Sequence, residues 1–161
     1  MYYLNVGLIC DNLKCSCPYH VHIPITAFSC NKSSLFTGGN AIKRDCQKRI
    51  QDKGELDDGG VYLGEAGSLK CKAIAHASGP QWNGGSKNEP ATLKRAISRC
   101  LHKTEKARFT SIAIPALCAG IYNYPMDLSC KHIIEELEGY LKVKNIYTVE
   151  LLFFNNKCFK F

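Results

Sequence analysis

The sequence predicts an α/β layer fold, a sheet with helices on both faces, and three observations carry that reading. Short apolar runs alternate along the 161 residues with longer amphipathic segments. The runs at 73–77 and 111–115 are largely apolar without strict alternation, as strands covered on both faces are. The segments between and after them repeat apolar residues at helical spacing. Strands alternating with helices pack as layers, and ligands of such folds bind beyond the carboxyl ends of the strands.

Each element has its own reason. Residues 2–9 read as an opening strand, and residues 23–30 as a short apolar one. Asn40 can cap a helix to about Lys53, with Ala41, Ile42, Cys46, Ile50 and the stem of Arg49 at helical spacing. Gly54 suits the left-handed position that ends it. Residues 61–63 and 73–77 are strands joined by the turn signal at 65–68. Pro90 opens a clearer helix whose apolar face is Leu93, Ala96, Ile97, Cys100 and Leu101. Residues 111–115 form a buried-type strand. Asp127 can cap a further helix with Leu128, Ile133, Ile134, Leu137 and Leu141 facing inward. Residues 147–154 close as an apolar strand suited to the middle of a sheet.

Composition narrows the class. Hydrophobic residues make up 45% and aromatics 10%, which fits one globular domain over 1–161 and excludes disorder. No apolar run is long enough to span a bilayer, and the first residues lack the basic-then-apolar pattern of a signal peptide. A cytoplasmic or nuclear setting without membrane association is therefore expected. The ten cysteines are scattered through strand-like and helix-like segments, as buried thiols of a reducing compartment are. Cys10, Cys15, Cys17, His20 and His22 crowd one stretch, but their spacing matches no paired Cys-x-x-Cys knuckle. The expectation is ten free thiols, no metal and no cofactor. His76 reads as a core histidine, His102 and His132 as surface residues.

The net charge of +7 favours anionic partners such as nucleotide, nucleic acid or a phosphorylated surface. Lys43, Arg44, Lys48, Arg49, Lys94, Arg95, Arg99, Lys142 and Lys144 are spread along the chain in no compact block. Nucleic acid therefore ranks below nucleotide as a partner, and solvated helix faces explain most of the charge. Two strand-to-helix loops contain glycine: residues 37–40 and residues 118–125. Small residues there let backbone N–H groups approach phosphate, and a helix N-terminus adds partial positive charge. Glycine pairs also occur in plain turns, so neither loop is specific by itself.

Two longer motifs are specific. Residues 73–82, Ala-Ile-Ala-His-Ala-Ser-Gly-Pro-Gln-Trp, resemble the "IHAVGPRW" strand and turn of macrodomains. Residues 111–125, Ser-Ile-Ala-Ile-Pro-Ala-Leu-Cys-Ala-Gly-Ile-Tyr-Asn-Tyr-Pro, resemble their "SIAIPALSSGIFGFP" strand and phosphate loop. The likeness runs from about Gly38 to Leu141 and is nearest to macrodomains of vertebrate macro-repeat poly(ADP-ribose) polymerase-type proteins. It implies a three-layer α/β/α fold with a mixed, mostly parallel sheet of about six strands. Gly38–Gly39 and Gly120 should then line one cleft at the sheet's carboxyl edge.

The resemblance also implies a ligand, ADP-ribose or ADP-ribosylated protein, and a site. Cys118, Ala119, Gly120, Ile121 and Tyr122 would wrap the pyrophosphate and distal ribose, with Tyr122 as an aromatic wall and Tyr124 in the core. Gly38, Gly39, Ala41 and Ile42 would form the first loop, Asn31 would touch the distal ribose, and Phe154 and Asn155 would lie against adenine and its ribose. Asn123 stands where the family usually has glycine, which should stiffen or reshape the loop. Leu8 stands where the family's "GDI" turn has an adenine-reading Asp. Hydrolases of the family carry a water-orienting Asp after the first glycines. This chain has Asn40, Ala41 and Ile42 there, with Asp45 a turn further on and solvated, so no catalytic residue is assigned. Three readings stay open: a binding module, an ADP-ribosyl hydrolase, or a degenerate macrodomain serving protein or nucleic-acid interaction.

Overall fold

The structure, a computed structural model, describes residues 6–9, 39–69, 71–120, 122–141, 148–152 and 158–160. Its elements are β1 (Val6–Ile9), α1 (Asn40–Lys53), β2 (Val61–Gly64), β3 (Ala73–Ala77), α2 (Glu89–Lys106), β4 (Ser111–Pro115), α3 (Met126–Leu141), β5 (Thr148–Leu152) and β6 (Cys158–Lys160). The expected strand at 23–30 and the Cys/His-rich stretch at 10–22 lie outside the described residues. So do Asn31, Gly38, Ile121, Phe154 and Asn155.

The strands join in the order β2-β3-β1-β4-β5-β6. The sheet is mixed, but among the described residues it is not mostly parallel as expected: only β4 and β5 pair in parallel, and the other four described pairings are antiparallel. Chain length explains the difference. The turn between Gly64 and Ala73 is too short for a crossover helix, so β2 and β3 must run antiparallel. The connection from β4 to β5 carries α3 and returns in parallel. Because β1 is antiparallel to both β3 and β4, strands β3, β4 and β5 all point the same way. Their carboxyl ends share one edge, where Val6 and Val61 also lie.

Strand β3 is buried along its whole length, and its two faces meet different layers. Ala73, Ala75 and Ala77 join the core formed by Leu93, Ala96, Ile97, Cys100 and Leu101 of α2 with Ile133 and Leu137 of α3. Ile74 faces the other way, against Ile42 of α1 and Ala66. The expected apolar face of α2 is therefore fully buried, at roughly 1.5–3 kcal/mol for each large aliphatic side chain. Helix α3 begins at Met126, so Asp127 lies in its first turn and is not the cap. Leu128 is 37% exposed, a correction to the inward position expected of it. Asn40 is likewise the first residue of α1, with Gly39 before it as the cap residue. Gly54 has the expected positive φ of 71°, and its N–H bonds Ile50 O.

Among the described residues no helix is long and apolar enough to cross a membrane. Among the described residues, Cys46, Cys100 and Cys130 are free thiols. Titration under denaturing, non-reducing conditions should find all ten cysteines reactive; stoichiometric zinc retained with Cys15, Cys17, His20 or His22 would refute the thiol reading.

Candidate functional site

Among the described residues, three loops lie at the shared carboxyl edge of β3, β4 and β5. After Pro115 the chain turns back through a left-handed residue, Cys118 at φ 63°. The Tyr124 N–H bonds Cys118 O at 3.1 Å, and the Asn123 N–H bonds Gly120 O at 2.9 Å. Asn123 itself is left-handed, at φ 52°. Asparagine tolerates that region better than other non-glycine residues. The loop thus retains a conformation usually given to glycine, and Asn123 does not unwind it. From α3 the buried Ser129 hydroxyl donates to Leu117 O at 2.6 Å, fastening the loop to the start of that helix.

The second loop follows β3. The Trp82 N–H donates to Tyr122 O at 2.9 Å, and the Trp82 ring lies 4.6 Å from that of Tyr124. Tyr124 is 1% exposed and meets His132 edge-on. Burial first, then the neighbouring Cys118 and Glu89, push its hydroxyl up to about 12. His132 is not the surface residue expected: its side chain is 15% exposed, and its Nδ1 lies 3.4 Å from Glu135 Oε2. Tyr122 is half-buried, and burial, with Cys118 and Asp58 adding to it, raises its phenol as well.

The third loop precedes β2. Gly59 and Gly60 exchange backbone hydrogen bonds with Ser78 at 2.8 Å each. Glycine is required at 59, where φ is +70° and an added Cβ would lie 3.1 Å from Thr92 O. Arg99 pairs with Asp57 at 3.1 Å and Arg95 donates to Asp58 O at 2.8 Å, tying this loop to α2. These residues were not singled out from the sequence. The Gly59-Gly60 pair was the one available signal.

Gly120 differs from Gly59. Its φ is outside the left-handed range, an added Cβ would meet nothing within 4 Å, and the residue is exposed. Among the described residues nothing takes its N–H. Neither strain nor crowding among the described residues explains glycine here, and the exposed backbone belongs to the loop that leads into α3, whose start carries the partial positive charge of a helix.

The structure brings Cys118, Ala119, Gly120 and Tyr122 together in this loop, and β5 ends beside it, with Leu152 opposite Pro115. It does not bring Gly39, Ala41 and Ile42 there. A Cβ on Gly39 would lie 3.9 Å from Ser68 Oγ, and Ile42 is buried against Ala66 and Ile74. One turn on, Asp45 is not merely solvated: its Oδ2 accepts the Glu65 N–H at 3.1 Å. Helix α1 therefore starts beside the β2–β3 turn, at the edge where β3 begins. Gly38 lies outside the described residues, and Gly39 stands beside the β2–β3 turn. Leu8 sits within β1, as the strand reading of residues 2–9 expects, in register with Ile74 and Ala113. Among the described residues no group of three or more His, Cys, Asp or Glu is placed to hold a metal.

The sequence profile of the Macro domain family matches residues 35–133. An O-acetyl-ADP-ribose deacetylase of Cronobacter sakazakii is 35% identical over 115 residues, covering 69% of this chain and 64% of that protein. The protein mono-ADP-ribosyltransferase PARP9 of Mus musculus is 35% identical over 118 residues, 71% of this chain but 14% of the mouse protein. The chain thus spans under two thirds of the length of both relatives. Among solved structures, a mutant of the Oceanobacillus iheyensis macrodomain with ADPR superposes with a TM-score of 0.76 at 18% identity, covering 96% of this chain and 76% of that one.

Proposed function

Because the chain belongs to the Macro domain family, we propose that it binds ADP-ribose, free or attached to protein, at the carboxyl edge of its sheet. The observation that carries the reading is Gly120: it is exposed, a Cβ there would meet nothing within 4 Å, and among the described residues nothing takes its N–H. Phosphate oxygens accept from such groups, and the helix terminus favours their charge. In this reading Cys118, Ala119, Gly120 and Ile121 present backbone to the pyrophosphate. Tyr122 walls the distal ribose, Asn31 hydrogen-bonds it, and Phe154 and Asn155 lie against adenine and its ribose. Gly39, Ala41 and Ile42, at the start of α1 beside the β2–β3 turn, are assigned no contact in this reading. The solved relative with ADPR supports the ligand class.

Calorimetry tests it. ADP-ribose should give a saturable heat with a Kd below about 1 mM, more than about 4 kcal/mol of binding free energy. No heat at millimolar ligand would leave the interaction-scaffold reading in its place. The deacetylase relative favours a second reading, hydrolysis of an ADP-ribose ester. Asn40, Ala41 and Ile42 supply no carboxylate to orient water, and Asp45 is engaged with the Glu65 N–H. O-acetyl-ADP-ribose should therefore be bound without release of acetate; steady turnover would favour the enzyme.

A further inference from the structure

Glu89 opens α2 one residue before Pro90, yet it is 1% exposed. A buried carboxylate is costly unless its oxygens are satisfied. Here Oε1 accepts the N–H groups of Asn83 at 2.9 Å and Gly85 at 3.2 Å, and Oε2 accepts that of Lys87 at 2.6 Å. Burial opposes ionisation, but the backbone donors outweigh it and hold the carboxyl below the usual carboxylate range. The chain winds tightly to supply them: Gly84, Gly85 and Asn88 have φ of 78°, 82° and 59°.

The wound turn presses on the site. A Cβ on Gly85 would lie 3.3 Å from Trp82 Cη2, so the turn's backbone backs the indole ring. That ring packs on Tyr124, and the Trp82 N–H holds Tyr122 O. Tyr122 and Tyr124 flank Asn123 in the loop that bears Gly120. We propose that Glu89 is a positioning residue for ligand binding. By gathering the 83–87 turn it seats Trp82, and Trp82 fixes the Gly120 loop in its binding shape. This rests on the proposed binding of ADP-ribose at that loop.

Trp82 is the sole tryptophan, so its emission reports on the clamp without labelling. In Glu89→Gln the carboxamide sets a donor against a backbone donor and the turn should loosen. The variant, folded by circular dichroism, should show red-shifted Trp82 emission and a Kd for ADP-ribose raised about tenfold or more, the loss of roughly one hydrogen bond. Trp82→Ala should lose affinity to a similar extent. The double variant should be no worse than Trp82→Ala alone, because both act through one contact. Unchanged emission and affinity in folded Glu89→Gln, or additive losses in the double variant, would overturn the proposal. If Glu89→Gln fails to fold, Trp82→Ala decides: wild-type affinity overturns the proposal, and a tenfold loss supports it. If the wild-type chain itself gives no heat with ADP-ribose, the proposed function fails separately. The emission of Glu89→Gln then decides whether the clamp exists.

Discussion

Replacing Gly120 with glutamate should abolish ADP-ribose binding while leaving the fold intact. The two halves of this expectation have separate causes. An added Cβ at 120 meets nothing within 4 Å and the backbone is not left-handed, so the side chain enters solvent without strain. The same side chain puts a carboxylate where the pyrophosphate would lie. Like charges set against each other cost several kcal/mol. Affinity should fall at least about a hundredfold, or roughly 2.7 kcal/mol. Gly120→Ala adds bulk without charge and should fall between the two. Calorimetry gives the affinities and thermal unfolding the stabilities. Full binding by a folded Gly120→Glu would place the ligand elsewhere.

Acid should destabilise the domain well before ordinary carboxylates titrate. His76 is buried between β2 and α1, its ring stacked 4.6 Å from that of Tyr62, with Cys46 Sγ 3.9 Å from its Nε2. Burial lowers its pKa from 6.5 to about 4, against a smaller opposing pull from Asp45. The folded chain thus keeps His76 neutral where the unfolded chain protonates it. The His76 contribution is complete above pH 6.5, falls as pH drops, and is fully lost below about 4, when both states carry the proton. The shift corresponds to about 3 kcal/mol, or roughly 6–12 °C of melting temperature for a domain of this size. Below the ordinary carboxylate range Glu89, Asp57 and Glu135 add losses of their own, because their carboxyls are held low in the folded state. His76→Phe, which keeps a ring on Tyr62, should flatten the upper part of the curve. An unchanged slope between pH 6.5 and 5 in that variant would mean another group titrates there.

What could be read from the sequence follows from where the forces act. The apolar faces of α2 and β4 and the unbroken burial of β3 are local patterns, and the structure has them at the expected residues. The 118–125 loop was legible because its residue types are tied to its turn geometry. Asn123 kept the left-handed conformation that the sequence could not settle. The direction of α1 was not legible. Its amphipathic period says which side is buried but not which way the helix runs over the sheet, and that direction sets Gly39 beside the β2–β3 turn. Nor was the Glu89 turn, since a glutamate before Pro90 reads equally as a solvated first-turn residue. Leu8 falls in β1, within the residues read as a strand, but a four-residue strand such as Val6–Ile9 carries too little pattern to locate it among its neighbours.

Amide shifts on adding ADP-ribose test the binding site most directly. In a nitrogen-labelled sample the N–H signals of Gly120, Tyr122 and Asn123 and the Trp82 indole should move with saturation, while those of Gly39, Ala41 and Ile42 stay in place. Saturable shifts confined to Gly39, Ala41 and Ile42, or none anywhere at millimolar ligand, would contradict the account.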